Sequence, residues 1–507
     1  MKRIYFLLIA GFVMTCSTAQ NVADGLRYGV DRTTGTARYT AMSGAFGALG
    51  GDLSAIATNP AGSAVFLEND VSVTLGVLDR ENNSVYFGSE ARGIDTNVDI
   101  NQAGAVFVFW NPNEESDWIK FSIGLNYNNT HNLDDDTFIL GNGNTSIGRF
   151  FTTLAQGVPL ELLELQGGET ISDLYSFLGE TQGVAAQNAF LGYQGYIFDP
   201  VDPMNPGNTQ YVSNIAPGRF NQEFYDASRG WVGKYTINFA AQYTDDLYFG
   251  INLNFHSIDY VNSNFLFESN SNPGSIVNQV EFENNLSALG NGFSAQIGGI
   301  YRVTNELRLG LTYDTPTWYE ISEETTQYLR TVRTEDGQTI TTVVNPNVLN
   351  VFADYELRTP GRIGASAAYV FGKQGLISVD YGYRDYSQTE FSSDFGSGDF
   401  VQLNNAISDN LKAASSIKVG GEYRINELSL RGGMQYEESP YENETTVGDL
   451  TGFSVGVGYD FGNYNFDLAY SRLQQDRNQQ LYDIGLTSTS MVETTFNNII
   501  FTLGVNL

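Results

Sequence analysis

Cysteine is almost missing from this chain. The one present among 507 residues is Cys16. It lies in an N-terminal stretch that reads as an export leader. Lys2 and Arg3 supply the charge and Ile4 to Val13 the apolar core. Ser17, Thr18 and Ala19 then offer small residues before a cleavage point ahead of Gln20. A chain cut there holds no cysteine, which excludes disulfides. A competing reading makes Cys16 the lipidated first residue of a lipoprotein, but Thr15 before it fits poorly. Long apolar runs are missing too. No internal run reaches about 18 residues, so helical membrane spans are not expected. Basic residues are scarce, 26 against 58 acids, for a net charge of −32, or −34 without Lys2 and Arg3. With no basic patch to neutralise phosphates, nucleic acid is excluded as a partner. Histidines number two, and His131 and His256 fall on different elements. No dehydrogenase, P-loop or metallohydrolase motif occurs. The expectation is no enzyme, no cofactor and no metal.

Glycine, tyrosine and phenylalanine are abundant (54, 30 and 33). From residue 70 onward the apolar pattern has period two. Phe453, Val455, Val457, Tyr459 and Phe461 alternate with Ser454, Gly456, Gly458 and Asp460. In a strand, alternate side chains face opposite sides. A soluble sandwich would turn the apolar face inward; a membrane barrel turns it outward. The connections decide between them. The alternation predicts fourteen strands, roughly 70–79, 100–110, 117–130, 231–244, 247–265, 288–303, 307–320, 360–371, 375–391, 412–425, 428–437, 451–461, 464–475 and 495–507. Short turns and long loops alternate strictly between them, which a sandwich has no reason to obey. The fold class is therefore all-β: a closed, 14-stranded antiparallel transmembrane β-barrel in a bacterial outer membrane.

Residues 20–69 lack the alternation and are rich in Gly, Ala and Ser. Small side chains let backbones approach closely, which suits a plug inside the barrel. The domains are then a signal peptide at 1–19, a hatch at 20–69 and a barrel at 70–507. An extracellular insertion at 131–230 is partly helical. Leu154, Val158, Leu162 and Leu165 fall at helical spacing, as do Ile171, Leu174, Phe177 and Leu178 after Gly167-Gly168. These helices either pack on the barrel rim or form an external apolar groove.

Asn59-Pro60-Ala61-Gly62 closes the small-residue run Ala41–Gly62. That run, with Leu357–Gly364 and the C-terminal segments Ile417–Tyr423, Leu430–Tyr436 and Phe466–Tyr470, resembles the FadL/TodX family of outer-membrane transporters. The resemblance covers both ends well and the middle poorly. It implies a barrel plugged by its N-terminal hatch, with passive uptake of long-chain fatty acids or other hydrophobic small molecules. It also implies lateral exit at a kinked third strand. Gly124 is the candidate for that kink, because a mid-strand glycine often marks one. The alternative role is a barrel scaffold associated with protein secretion at the cell surface. An open aqueous porin is a third reading, against which the hatch argues.

Parity places nine basic residues on the lumen face: Lys120, Lys234, Arg302, Arg308, Arg362, Arg384, Lys418, Arg424 and Arg431. Asp380, Glu422, Asp460 and Asp467 are lumen acids that can pair with several. A cation left unpaired would hold an anionic head group, and Arg can do so with two parallel hydrogen bonds. The ligand-binding candidates are Arg362, Lys234, Arg384 and Lys418. Expected partners are the hydrophobic ligand, outer-membrane lipid and, during biogenesis, the barrel-assembly machinery. The last strand alternates to its end, although Leu507 replaces the usual terminal aromatic. A monomer is expected.

Overall fold

The computed structural model describes residues 20–393 and 400–507. The leader reading and Cys16 lie outside the described residues. One antiparallel sheet closes on itself through fourteen barrel strands. These are β1 (Asp70–Tyr86), β2 (Ser89–Trp110), β3 (Trp118–Asn132), β4 (Phe220–Tyr243), β5 (Leu247–Ser269) and β6 (Val277–Arg302). Next come β7 (Leu307–Asp314, resumed at Thr317–Glu335), β8 (Tyr355–Thr359, resumed at Arg362–Val370), β9 (Gly375–Asp385) and β10 (Ala413–Ile425). Last are β11 (Leu428–Glu437), β12 (Val447–Asp460), β13 (Tyr464–Gln480) and β14 (Thr489–Asn506). β1 pairs with β14 from Asp70↔Asn506 to Val85↔Met491. Closure leaves no sheet edge with unpaired backbone in lipid.

All fourteen expected strands are present, and many run much further outward. The expected loop at 80–99 is instead a hairpin turned by Phe87 and Gly88, both at positive φ (48° and 81°), as a tight two-residue turn requires. The physical reason is solvent. On β5 the outward side chains are Leu247, Phe249, Ile251, Leu253 and Phe255, then Ser257 and Asp259. Past the bilayer an outward side chain need not be apolar, so the alternation stops while the hydrogen-bond ladder continues.

The strand extensions carry an external cap. Its helices are α3 (Gly148–Ala155), α4 (Ile171–Gln182) and α5 (Val184–Gln194), numbered after the two hatch helices given below. The first expected helix is cut short because Gly157 takes a φ of 92° and Pro159 follows it. The second is present. α5 escaped notice because it is buried on nearly all sides and so shows no one-sided stripe. Phe151, Leu174, Leu178 and Phe190 are fully buried in one core with Tyr86, Phe282 and Leu329 of the strand extensions. The helices' apolar faces thus pack onto the rim rather than lining an open groove.

Glu268, well outside the lipid belt, ties the cap down. It accepts hydrogen bonds from Ile147 N (2.8 Å), Gln222 Nε2 (2.7 Å) and Ser146 Oγ. Burial pushes its pKa up to about 6 from the ordinary 4.5, against the pull of those donors. A raised carboxyl stabilises the fold fully below its unfolded value. That contribution is lost as pH rises through about 6, and amounts to about 2 kcal/mol. Amides of residues 147–151 should therefore be better protected from exchange at about pH 5 than at about pH 7.5, after correction for intrinsic rates. Glu268→Gln should abolish the difference. Equal protection at both pH values would refute this.

Candidate functional site

The hatch fills the lumen with short helices. α1 (Val22–Gly29) and α2 (Ala37–Ala41) are followed by 3-10 turns at Ser54–Ala57 and Pro60–Val65. Wall glycines admit it: a Cβ on Gly250 would sit 2.3 Å from the Pro60 carbonyl carbon, and one on Gly310 2.3 Å from Gly47 O. Asn59 caps the second turn by accepting from Ala61 N (3.1 Å). Its amide donates to Gly47 O (2.6 Å) and to Gly299 O on β6 (3.2 Å). Pro60 O accepts from Asn238 on β4 (2.9 Å), and Ala61 and Gly62 are fully packed. Asp380 on β9 accepts from Phe46 N and Gly47 N (3.0 and 2.8 Å). Arg38 reaches Glu422 on β10 (2.9 Å), which also holds Arg431 and Arg424 (2.7 Å each).

Higher in the lumen, α1 inserts Leu26 and Tyr28 into an apolar layer. Its other members include Tyr260, Tyr319, Tyr355, Phe391 and, near the loop helix α6 (Val401–Asn410), Phe400 and Ile407. The chain leaving α1 borders two cavities.

The smaller cavity is about 30 Å³ and polar, with Asp31, Lys234, His256, Asp314 and Arg384 in its lining. Adjacent breaks at Pro316 and Pro360 border it, where proline cannot donate to the ladder. Two of the four expected ligand-binding residues meet here. Arg384 is occupied by the hatch, donating to Gly29 O (2.6 Å) and pairing with Asp31 (3.1 Å). Lys234 makes no hydrogen bond or ion pair to the described residues. Arg362 is likewise unpaired among them and stands opposite Arg384 across the β8–β9 ladder. Lys418 bonds Thr33 Oγ1 (2.7 Å) and Glu437 (3.4 Å), so it too serves the hatch.

The larger cavity, about 260 Å³, was not foreseen. Its apolar side includes Leu26, Val30, Val447, Leu450 and Phe496; its charged side is Arg27, Arg32, Arg80 and Arg477 against Asp135, Glu437 and Glu438. Arg27 is held by Asp24, and Arg80 and Arg477 reach Asp135 (3.6 and 3.3 Å). Arg32 has no carboxylate within ion-pair distance among the described residues. Its Nη2 donates to Gln475 (2.8 Å) and its buried Nε finds no partner. Arg32 and Arg80 both lie over the Phe496 ring, at 5.4 and 4.8 Å. Arg80 is paired with Asp135, and Glu437 lines the same cavity, so Arg32 is the guanidinium there that lacks an ion pair among the described residues. Arg80 and Arg477 lie between the strands that the alternation predicts, where parity assigns no face. Arg32 lies in the hatch, where parity has no meaning.

Beside this cavity the barrel wall parts. β2 pairs with β3 only from Gln102↔Asn128 to Trp110↔Lys120. The outer continuation of β3, Asp135–Gly143, pairs with β4. It crosses the inner face of the β1–β2 hairpin, where Ser84 donates to Phe138 O (2.6 Å). Side chains alone span the seam: Asn132 to Asp99 (2.6 Å), Arg229 to Asp95 (3.2 Å), and Asn97 to Asp134. The expected kink at Gly124 is elsewhere. Gly124 pairs with Val106 and Asn238 in unbroken ladders, and its bare face makes room for Ile56 of the hatch. The interruption falls at the bulge between Asn129 and His131 and at Leu133-Asp134.

Residues 234–507 match the family model described as outer membrane protein transport protein (OMPP1/FadL/TodX). The chain belongs to this family. Its barrel superposes on the toluene transporter TodX of Pseudomonas putida with a TM-score of 0.52 at 14% identity, covering 94% of this chain and 99% of that one. A FadL homologue of Pseudomonas aeruginosa gives 0.52 at 13%, covering 94% and 98%. At such identities the likeness is one of fold. No curated protein matches the chain. This family member is thus a β-barrel of the bacterial outer membrane, in a family of transport proteins.

Proposed function

We propose that this barrel takes up hydrophobic small molecules bearing one acidic head group, as long-chain fatty acids do, and acts as a passive conduit rather than an enzyme. The observation that carries this is Arg32, which makes no ion pair with the described residues and whose buried Nε has no partner, in a 260 Å³ cavity with an apolar side. A volume just under the range of about 300–1,000 Å³ for pockets that enclose drug-sized ligands suits a small molecule or one end of a longer one. The seam at Asp95–Asp99 offers a sideways route into the lipid of the outer membrane. Val98 and Ile100 still face outward there, 67% and 53% exposed.

Arg32→Gln tests the head-group assignment. It should weaken binding of a long-chain carboxylate about 10- to 100-fold, the worth of a hydrogen bond to a charged group. Binding of the matching alcohol should be unchanged. Tryptophan quenching or calorimetry reads both. A wild-type barrel that binds acid and alcohol equally would overturn the reading.

A further inference from the structure

The hatch begins with an unusual contact. Asn21 caps α1, accepting from Ala23 N and Asp24 N (2.9 and 3.2 Å) while its own N donates to Asp24 (2.8 Å). This box fixes the direction in which the chain enters the helix. Gln20, one residue earlier, is only 9% exposed. Its Nε2 donates to Glu323 Oε2 at 2.7 Å. Glu323 is 3% exposed, and its other oxygen accepts from Tyr355 (2.7 Å). Among the described residues no Lys or Arg lies within ion-pair distance of Glu323. The nearest helix cation, Arg27, is held by Asp24. A buried carboxylate with no counter-ion is costly.

The leader reading ends the export signal before Gln20. Hydrolysis of the Ala19–Gln20 bond by a signal peptidase consumes one water. It leaves a carboxylate on Ala19 and an ammonium on Gln20. That new charge appears on the residue whose side chain already touches Glu323. We propose that the α-ammonium of mature Gln20 is the counter-ion of Glu323, and that it fastens α1 in the lumen. The latch exists only in the exported, processed chain. Before cleavage the same nitrogen is a neutral amide, and Glu323 has no cation.

The test uses protein purified from outer membranes. N-terminal sequencing should begin at Gln20 with a free amine. Glu323→Gln keeps the side-chain shape but removes the charge. It should speed hydrogen exchange of the α1 amides by about 100-fold, as expected when one partner of a buried pair is lost. One extra glycine ahead of Gln20 moves the ammonium by about 3.8 Å and should give the same rise. The two changes together should give no further rise. A blocked N-terminus, such as a cyclised glutamine, would overturn the proposal. So would an inert Glu323→Gln, or effects that simply multiply.

Discussion

Glu422→Ala should unseat the hatch, raising steady ion leak well above wild type and lowering the unfolding temperature. The Glu422 side chain has no exposure and holds three guanidiniums, Arg38 of the hatch with Arg424 and Arg431 of the wall. Removing it leaves Arg431 with Asp467, and Arg38 with Gly51 O at 2.9 Å and the Phe46 ring at 5.3 Å. Breaking a buried ion pair from one side costs about 3–5 kcal/mol, because the remaining charges stay buried without compensation. That is a large fraction of a typical folding free energy of about 5–15 kcal/mol. The barrel itself should survive, because β10 keeps its ladders to β9 and β11. The damage should therefore appear as leak across planar bilayers and as faster exchange in α2. Glu422→Gln, which keeps the shape and one acceptor, should fall between. A leak and melting profile like wild type would mean that the Asn59 and Asp380 contacts suffice to hold the hatch.

How far the sequence could be read depended on the solvent each segment meets. Inside the bilayer the outward face must be apolar, so Phe453–Phe461 and Leu247–Phe255 announced themselves as strands. Above it Asp79–Asn83 is just as regularly paired, yet no alternation marks it. Parity points to candidate lumen cations but says nothing of their partners. Arg384 and Lys418 turn out to bind the hatch. The unpaired cation of the larger cavity, Arg32, sits on an irregular segment whose conformation depends on the wall around it. Gly124 shows the same limit. Its lack of a side chain serves close packing against Ile56, while the strand breaks where polar residues replace a ladder. Local sequence records propensity; a partner 100 or more residues away decides the outcome.

Joining the seam covalently should abolish uptake. Asp99→Cys with Asn132→Cys places two thiols where the native side chains already touch at 2.6 Å. Residues 20–507 hold no other cysteine, so in a chain cut ahead of Gln20, as the leader reading expects, any disulfide formed is this one. Oxidised protein should fall to background uptake of the acid, and a reductant should restore it. Ligand binding in the larger cavity should persist in both states, which separates a closed exit from a damaged site. The expectation rests on how the wall is built there. A β-ladder resists separation through many backbone bonds at once, whereas Asp95, Asn97 and Asp99 bridge the gap by side chains, each worth about 0.5–1.5 kcal/mol, more where charged. The hatch takes part as well. Arg32 N donates to Thr130 O (2.9 Å), and His131 Nδ1 lies 3.2 Å from Arg27 O. The residue proposed to meet the ligand thus also holds β3 at the point where β2 lets go. An anion that draws the Arg32 side chain into the cavity would act on that backbone bond and weaken the strand end nearest the seam. Undiminished uptake with the disulfide fully formed would rule out the seam as the exit and leave the periplasmic mouth, beneath the hatch, as the way out.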